Sequence, residues 1–341
     1  MHMADALVSP AVGGTLWAAS CVVMAHCVRK LKATFRDELV PLMGVLGAFV
    51  FTAQMINFTI PGTGSSGHLG GGLILTVLLG PHAAFLTIAS VLTVQALFFA
   101  DGGLLALGCN IFNLGFYPAF IAYPFIYRVI GKGGYVSVRA WVAAVVAAVA
   151  GLQLGAFSVV LETQASGLTD LPFGTFTLLM LPIHLAIGVV EGVATAAVVA
   201  FVARARPEVM PAAPVRSGPV NARPVLVALL VAAVAVGGVA SWFASSHPDG
   251  LEWAIARVTG KEEVEGGASG LSARLAALQE RTAVLPDYGF KAAEGAAEES
   301  AETWPAVDTG TSVAGVAGGA MTLLVVCLIG FALKPRRQMG V

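Results

Sequence analysis

The run FTLLMLPIHLAIGVVEGVATAAVVAFV, Phe176 to Val202, holds two ionisable side chains, His184 and Glu191, and stops against Arg204 and Arg206. A helix needs about 20 apolar residues to cross the hydrocarbon core, so this run reads as a membrane span. Its basic stop marks the cytoplasmic end. His184 and Glu191 lie seven apart and so share one helical face. Ionisable groups inside a span are functional candidates by default, with satisfaction of bundle neighbours as the equal alternative.

The remainder of the 341 residues repeats this pattern: 57% are hydrophobic and 11% charged, where soluble domains average about 25% charged. Because lipid offers the backbone no hydrogen bonds, the expected fold class is an all-α polytopic membrane protein. A net charge of −1 leaves no nucleic-acid footprint. Cys21, Cys27, Cys109 and Cys327 fall in apolar runs without a C-x-x-C pair and read as packing residues.

Basic clusters orient the other spans. Pro10 to Val28 meets Arg29, Lys30, Lys32 and Arg36, which puts the N-terminus outside. Val40 to Ile60 returns outward and delivers Asn57 and the turn Pro61 to His68 to that same side. Leu69 to Leu79 is a short apolar stretch broken by Gly80-Pro81-His82, after which Ala83 to Ala100 climbs out, as expected of a short helix entering a cavity. Leu107 to Ile130 runs inward to Arg128, Lys132 and Arg139, and Ala140 to Leu161 runs outward. With Phe176 to Val202 these make a seven-helix bundle, residues 1–206. The proline-rich stretch 207–223 reads as a cytoplasmic linker. In 224–341, Val225 to Phe243 and Thr311 to Leu333 are two further transmembrane helices flanking an external polar segment. Nine spans, N-terminus external and C-terminus cytoplasmic, satisfy every basic cluster.

Little in the chain speaks for an enzyme. There is no G-x-x-x-x-G-K-[ST] loop, so no ATPase motif of that type, and no H-E-x-x-H pair or serine elbow. The chemistry concentrates in Met1-His2-Met3 and in the turn Pro61-Gly62-Thr63-Gly64-Ser65-Ser66-Gly67-His68. No basic n-region with an apolar core and cleavage site precedes His2 and Asp5, so the N-terminus is expected to be mature as written. The bulk of His2 is expected to keep Met1 in place. The Met1 amine, the His2 amide nitrogen and the His2 ring can then chelate one ion in nearly one plane. A fourth nitrogen from His68 would complete a square-planar set, which suits Ni(II) or Cu(II). The glycines Gly62, Gly64, Gly67, Gly70, Gly71 and Gly72 around His68 permit close backbone approach. Asn57, Ser65 and Ser66 are candidates to orient an imidazole or hold the metal segment by outer hydrogen bonds. Gln95, mid-span, reads as an interhelical hydrogen bond. His26 and His82 read as interfacial residues on the cytoplasmic side, and His247 is alone in its segment, which is weak evidence for a site.

The opening Met1-His2-Met3-Ala4-Asp5-Ala6-Leu7-Val8-Ser9-Pro10 resembles the start of the CbiM/NikM family, the nickel/cobalt substrate-binding subunits of energy-coupling-factor (ECF) transporters. The resemblance continues through Asn57 to Gly62, Ser66 to Gly71, Leu79 to Ala84, Val94 to Gly103, Leu107 to Asn110 and Ile187 to Gly192. Met3 to Leu7 departs from the I-P-D-G-F of many members, and Thr59 stands where a proline is common. His247-Pro248-Asp249-Gly250-Leu251-Glu252 looks like the signature of the PDGLE (NikN-type) accessory domain fused to nickel members.

The resemblance implies metal ligands Met1, His2 and His68, with no other cofactor. It implies transport of Ni(II), with Co(II) for cobalamin synthesis as the alternative, across the cytoplasmic (inner) membrane. The partners it implies are an ECF transmembrane coupling subunit and cytoplasmic ATPase subunits of an ABC importer. A membrane scaffold or sensor that transports nothing is the reading from a different class. The accessory segment could shepherd metal, open the N-terminal segment or stabilise assembly; the residues alone leave these open.

Overall fold

A computed structural model of the chain describes residues 2–210, 222–262, 264, 270–291 and 304–334. Met1, residues 211–221 of the expected linker, and the terminal Arg336 and Arg337 lie outside the described residues.

After a single 3-10 turn at Asp5–Leu7, helix α1 (Pro10–Ala33) starts where Ser9 accepts from the Val12 amide at 3.4 Å and Pro10 takes the first helical position. Helix α2 (Leu39–Gln54) follows, then an antiparallel hairpin of β1 (Phe58–Ile60) and β2 (Ser65–Gly67), paired Phe58 with Gly67 and Ile60 with Ser65. Helix α3 (Gly72–Leu79) leads through Gly80, at φ +80°, into α4 (Pro81–Phe99). Helix α5 (Leu107–Ile111) continues through a π-wound stretch, Phe112–Tyr127, into α6 (Arg128–Ile130). Pro118 and Pro124, which offer no amide hydrogen, lie inside the π stretch. The long helices α7 (Val138–Ser166) and α8 (Phe173–Ala205) complete the first module.

The second module consists of α9 (Arg223–Gly238), the short α10 (Gly250–Thr259), α11 (Gly270–Thr282) and α12 (Thr309–Leu333). α9 and α12 pack on α2 and on each other, so the two modules share one core. α4 runs through its centre, with Phe85, Phe99 and Gln95 fully buried. α7 and α8 pack against each other through small residues, as membrane helices do. At Gly192 an added Cβ would overlap the Val145 main chain.

Among the described residues, five helices, α1, α4, α7, α8 and α12, are long and apolar enough to cross a membrane, and α2 and α9 are shorter apolar helices. The chain is therefore a multi-pass helical membrane protein. The helix partition differs from the sequence expectation in three places. α3 has eight residues and rises about 12 Å, too little to cross a core of about 30 Å. The expected span to Ile60 stops as helix at Gln54, and its last residues form β1. The span expected to reach Phe243 ends as α-helix at Gly238 and tightens into a 3-10 turn at Ala240–Phe243.

Candidate metal centre

The N-terminal segment is tied down by the loop after α4 and by Asn110 of α5. The Met3 amide donates to Asn110 Oδ1 at 2.8 Å, while Asn110 Nδ2 and the Gly103 amide donate to the Met3 carbonyl at 3.2 and 2.9 Å. Asp5 Oδ1 accepts from the Leu105 and Ala106 amides at 2.8 and 3.0 Å. Met3, Leu7 and Val8 are buried beside these anchors. The N-terminal segment, with its 3-10 turn, is thereby held along a fixed path into the bundle.

That path brings His2 to His68, with ring centroids 5.0 Å apart and planes tilted by 34°. His68 arrives from the other direction, at the end of β2. The turn before it uses positive φ at Gly62 and Gly64, and Gly71 repeats this after it. An added Cβ at Gly67 would overlap Ile187, so β2 lies against α8. Below His68, Glu191 Oε2 accepts from the Gly70 amide at 2.7 Å. Gln54 Nε2 donates to the Gly70 carbonyl at 2.8 Å and Gln95 Nε2 donates to Gln54 Oε1 at 3.0 Å. Gln95 thus links α4 to α2, and Glu191 anchors the turn that carries His68.

His2 Nδ1 lies 2.6 Å from Asp101 Oδ1, and His2 Nε2 is buried with no hydrogen-bond partner among the described residues. Burial alone would raise the Asp101 pKa, but the His2 ring and the bonds from His2 and Tyr288 hold it well below the usual carboxylate range. Burial, helped by the neighbouring His2, pushes His68 down to about 3. His68 is therefore a neutral imidazole near pH 7, the form that binds metal. Both rings border a cavity of about 670 Å³ whose wall includes Asn57, Asp101, Asp249, Glu252 and Tyr288. Among the described residues, no three His, Cys, Asp or Glu side chains gather closely enough to hold an ion by themselves.

The remaining candidates fall elsewhere. Ser65 Oγ donates to the Ser66 carbonyl at 3.0 Å, and Ser66 Oγ donates to the His247 carbonyl at 2.7 Å. His184 and Glu191 are both buried on α8. His184 Nδ1 donates to the Met180 carbonyl at 2.8 Å, which leaves Nε2 the acceptor, buried and unpaired among the described residues. With His68, Asp249 and Gly250 it borders a void of about 10 Å³, close to the least room a water needs. The His26 and His82 rings lie 5.6 Å apart where α1 passes the start of α4.

Sequence reasoning gave no role to Asp101 or Asn110, although both lie in quoted stretches. It also passed over the signal inside Pro248-Asp249-Gly250-Leu251-Glu252. These residues form a capping box: Asp249 Oδ1 accepts from the Leu251 and Glu252 amides at 2.8 and 2.9 Å, and Glu252 Oε2 accepts from the Asp249 amide at 2.9 Å. The Pro248 carbonyl accepts from the Ser66 amide at 2.8 Å. At Gly250 an added Cβ would lie 2.7 Å from Ile183 and 3.2 Å from the His184 ring. The motif therefore starts α10 and seats it on the hairpin that carries His68.

The chain is similar to known proteins. The family model for the cobalt uptake substrate-specific transmembrane region matches residues 2–209, and the PDGLE domain matches residues 223–335. The fused nickel transport protein NikMN of Rhodobacter capsulatus is 32% identical over 84% of this chain and 88% of its own length. The cobalt transport protein CbiM of Geobacter sulfurreducens is 29% identical over 70% of this chain and 72% of its own. The crystal structure of a truncated transition metal transporter superposes with a TM-score of 0.53 at 29% identity, covering 60% of this chain and 99% of that one. By the match over residues 2–209 and the fused relative alike, the chain belongs to the cobalt uptake substrate-specific transmembrane family, here joined to a PDGLE domain.

Proposed function

We propose that this protein is the substrate-binding subunit of a metal importer, capturing Ni(II) between its N-terminus and His68. The observation that carries the proposal is the approach of the His2 and His68 rings to 5.0 Å within a cavity shielded by the second module. Two imidazoles with no third side-chain ligand among the described residues leave main-chain nitrogen to complete a four-coordinate set. The His2 amide supplies one such nitrogen, and the α-amine of Met1, which lies outside the described residues, supplies the other. Ionising an amide and holding four nitrogens in a plane favours nickel over cobalt.

Chelation in this mode uses His2 Nδ1, the atom that Asp101 holds here. A half-turn of the ring about Cβ–Cγ moves Nδ1 off the carboxylate and brings Nε2 round to the same edge. Asp101 then keeps a histidine N–H while Nδ1 takes the ion, the carboxylate–histidine–metal arrangement common in metal sites. The ion is cargo. Its onward passage is assigned to a membrane coupling subunit and cytoplasmic ATPases of the energy-coupling-factor type, with this subunit in the cytoplasmic membrane and its metal side external. The nickel name of the fused relative supports this substrate, and the cobalt name of another relative keeps Co(II) as the alternative.

Calorimetric titration of the full chain with Ni(II) and Co(II) tests the proposal. The expected result is tighter nickel binding with proton release, because the amide must ionise. Tighter cobalt binding would reassign the cargo, and binding of neither ion would refute the function.

A further inference from the structure

Among the second-module residues that line the cavity, Tyr288 bonds directly to the carboxylate that holds His2. Tyr288 Oη donates a short hydrogen bond to Asp101 Oδ2, while Oδ1 of the same carboxylate faces His2 Nδ1. The Tyr288 ring is stacked on Phe99 with centroids 5.1 Å apart and meets Phe51 at 6.1 Å. To reach this place the backbone adopts left-handed conformations at two non-glycine residues, Asp287 at φ +49° and Tyr288 at φ +59°. Such conformations are uncommon in side-chain-bearing residues and persist where surrounding structure enforces them. The approach is reinforced on both sides. Gln279 Nε2 donates to the carbonyls of Ala96 at 2.9 Å and Gly102 at 2.7 Å, and the Val284 and Leu285 amides donate to the Phe98 carbonyl. The segment 279–288 therefore grips the end of α4 and the loop that carries Asp101.

We propose that Tyr288 is a positioning residue of the metal centre, through which the second module fixes Asp101 and so the orientation of the His2 ring. A carboxylate with both oxygens engaged cannot rotate away when the ring turns, so Asp101 stays in place to receive the N–H of a metal-bound His2. Without the Tyr288 hydroxyl, Oδ2 is left to solvent and the carboxylate gains freedom about its own side-chain torsions. Loss of a partner of this kind lowers metal affinity about 10- to 100-fold. The inference rests on the proposed capture of metal by His2, and gives the PDGLE domain a direct part in it.

A double-mutant cycle on the full chain with its native N-terminus tests the role. Ni(II) affinity is measured for the unmodified chain, Tyr288→Phe, Asp101→Asn and the pair, with the visible spectrum of bound nickel recorded each time. Tyr288→Phe keeps the aromatic stack and is expected to lose about tenfold in affinity while retaining the spectrum of planar nickel. The pair is expected to lose no more than Asp101→Asn alone, since Tyr288 acts through that carboxylate. Unchanged affinity in Tyr288→Phe, or losses that simply add, would overturn the inference. If Tyr288→Phe shows no cooperative thermal transition, Gln279→Ala, which loosens the same loop at Gly102, decides instead: weaker nickel binding supports the inference and unchanged binding overturns it. Failure of the unmodified chain to bind nickel would remove the function reading and this role together. Normal binding in that chain and in the variants alike would remove this role only.

Discussion

His2 and His68 face each other at 5.0 Å between ring centroids, one carried by a chain end and the other by a hairpin. Neither ring arrives by local structure alone. Asn110 and Gly103 hold the first segment, and Glu191 and Gln54 hold the turn below the second. His68→Ala removes one of four proposed ligands without disturbing either set of anchors. Calorimetry should show a loss in nickel affinity of about 100-fold or more, at or beyond the upper end for an outer-shell partner.

Gly103 sits where the N-terminal segment crosses the loop after α4. A Cβ there would overlap Asp5 Oδ1 and the Asp5 amide nitrogen. Gly103→Ala must therefore push the segment off its path, at a cost of about 1–3 kcal/mol. The expected outcome is weakened nickel binding with the helical circular dichroism unchanged.

The closeness of α7 and α8 gives a prediction about stability alone. Gly192→Ala drives a Cβ into the Val145 main chain, which cannot move as a flexible side chain would. Thermal unfolding in detergent should show a loss of about 1–3 kcal/mol. Nickel affinity of the remaining folded protein should be little altered.

Acid should loosen the hairpin end. His68 is held neutral, its pKa pushed from 6.5 down to about 3 by burial and by His2. The unfolded chain takes up the proton first, so the contribution of this residue to stability is complete above about pH 6.5 and falls progressively toward pH 3. The protection factors of the Ser66 and Gly70 amides, bonded to Pro248 and Glu191, should fall across that window and stay constant above it. In His68→Ala the same amides should lose that part of their pH dependence.

The two histidines could be found in the sequence because their chemistry is local: position two and a glycine-rich turn announce themselves. Asp101 and Asn110 could not, since their partners lie 99 and 107 positions away, and a carboxylate after a span reads as an ordinary turn. The hairpin was hidden for another reason. Val40 to Ile60 is one apolar run, and periodicity cannot separate a buried helix from a short strand within it. The break at Gly80-Pro81 was legible because glycine and proline act on the backbone directly. The capping box at Asp249 and Glu252 was equally readable from its spacing. Its seat against Ser66 was not, because nothing in either stretch names the other.

The central claim is that the chain's own α-amine binds the metal, and it is tested most directly by placing a few extra residues before Met1. Nickel affinity and the absorption spectrum of bound nickel are then compared with those of the native N-terminus. The account predicts that the extended chain keeps its thermal stability and loses both tight binding and the planar nickel spectrum. An extended chain that binds nickel as tightly as the native one, with the same spectrum, would contradict it.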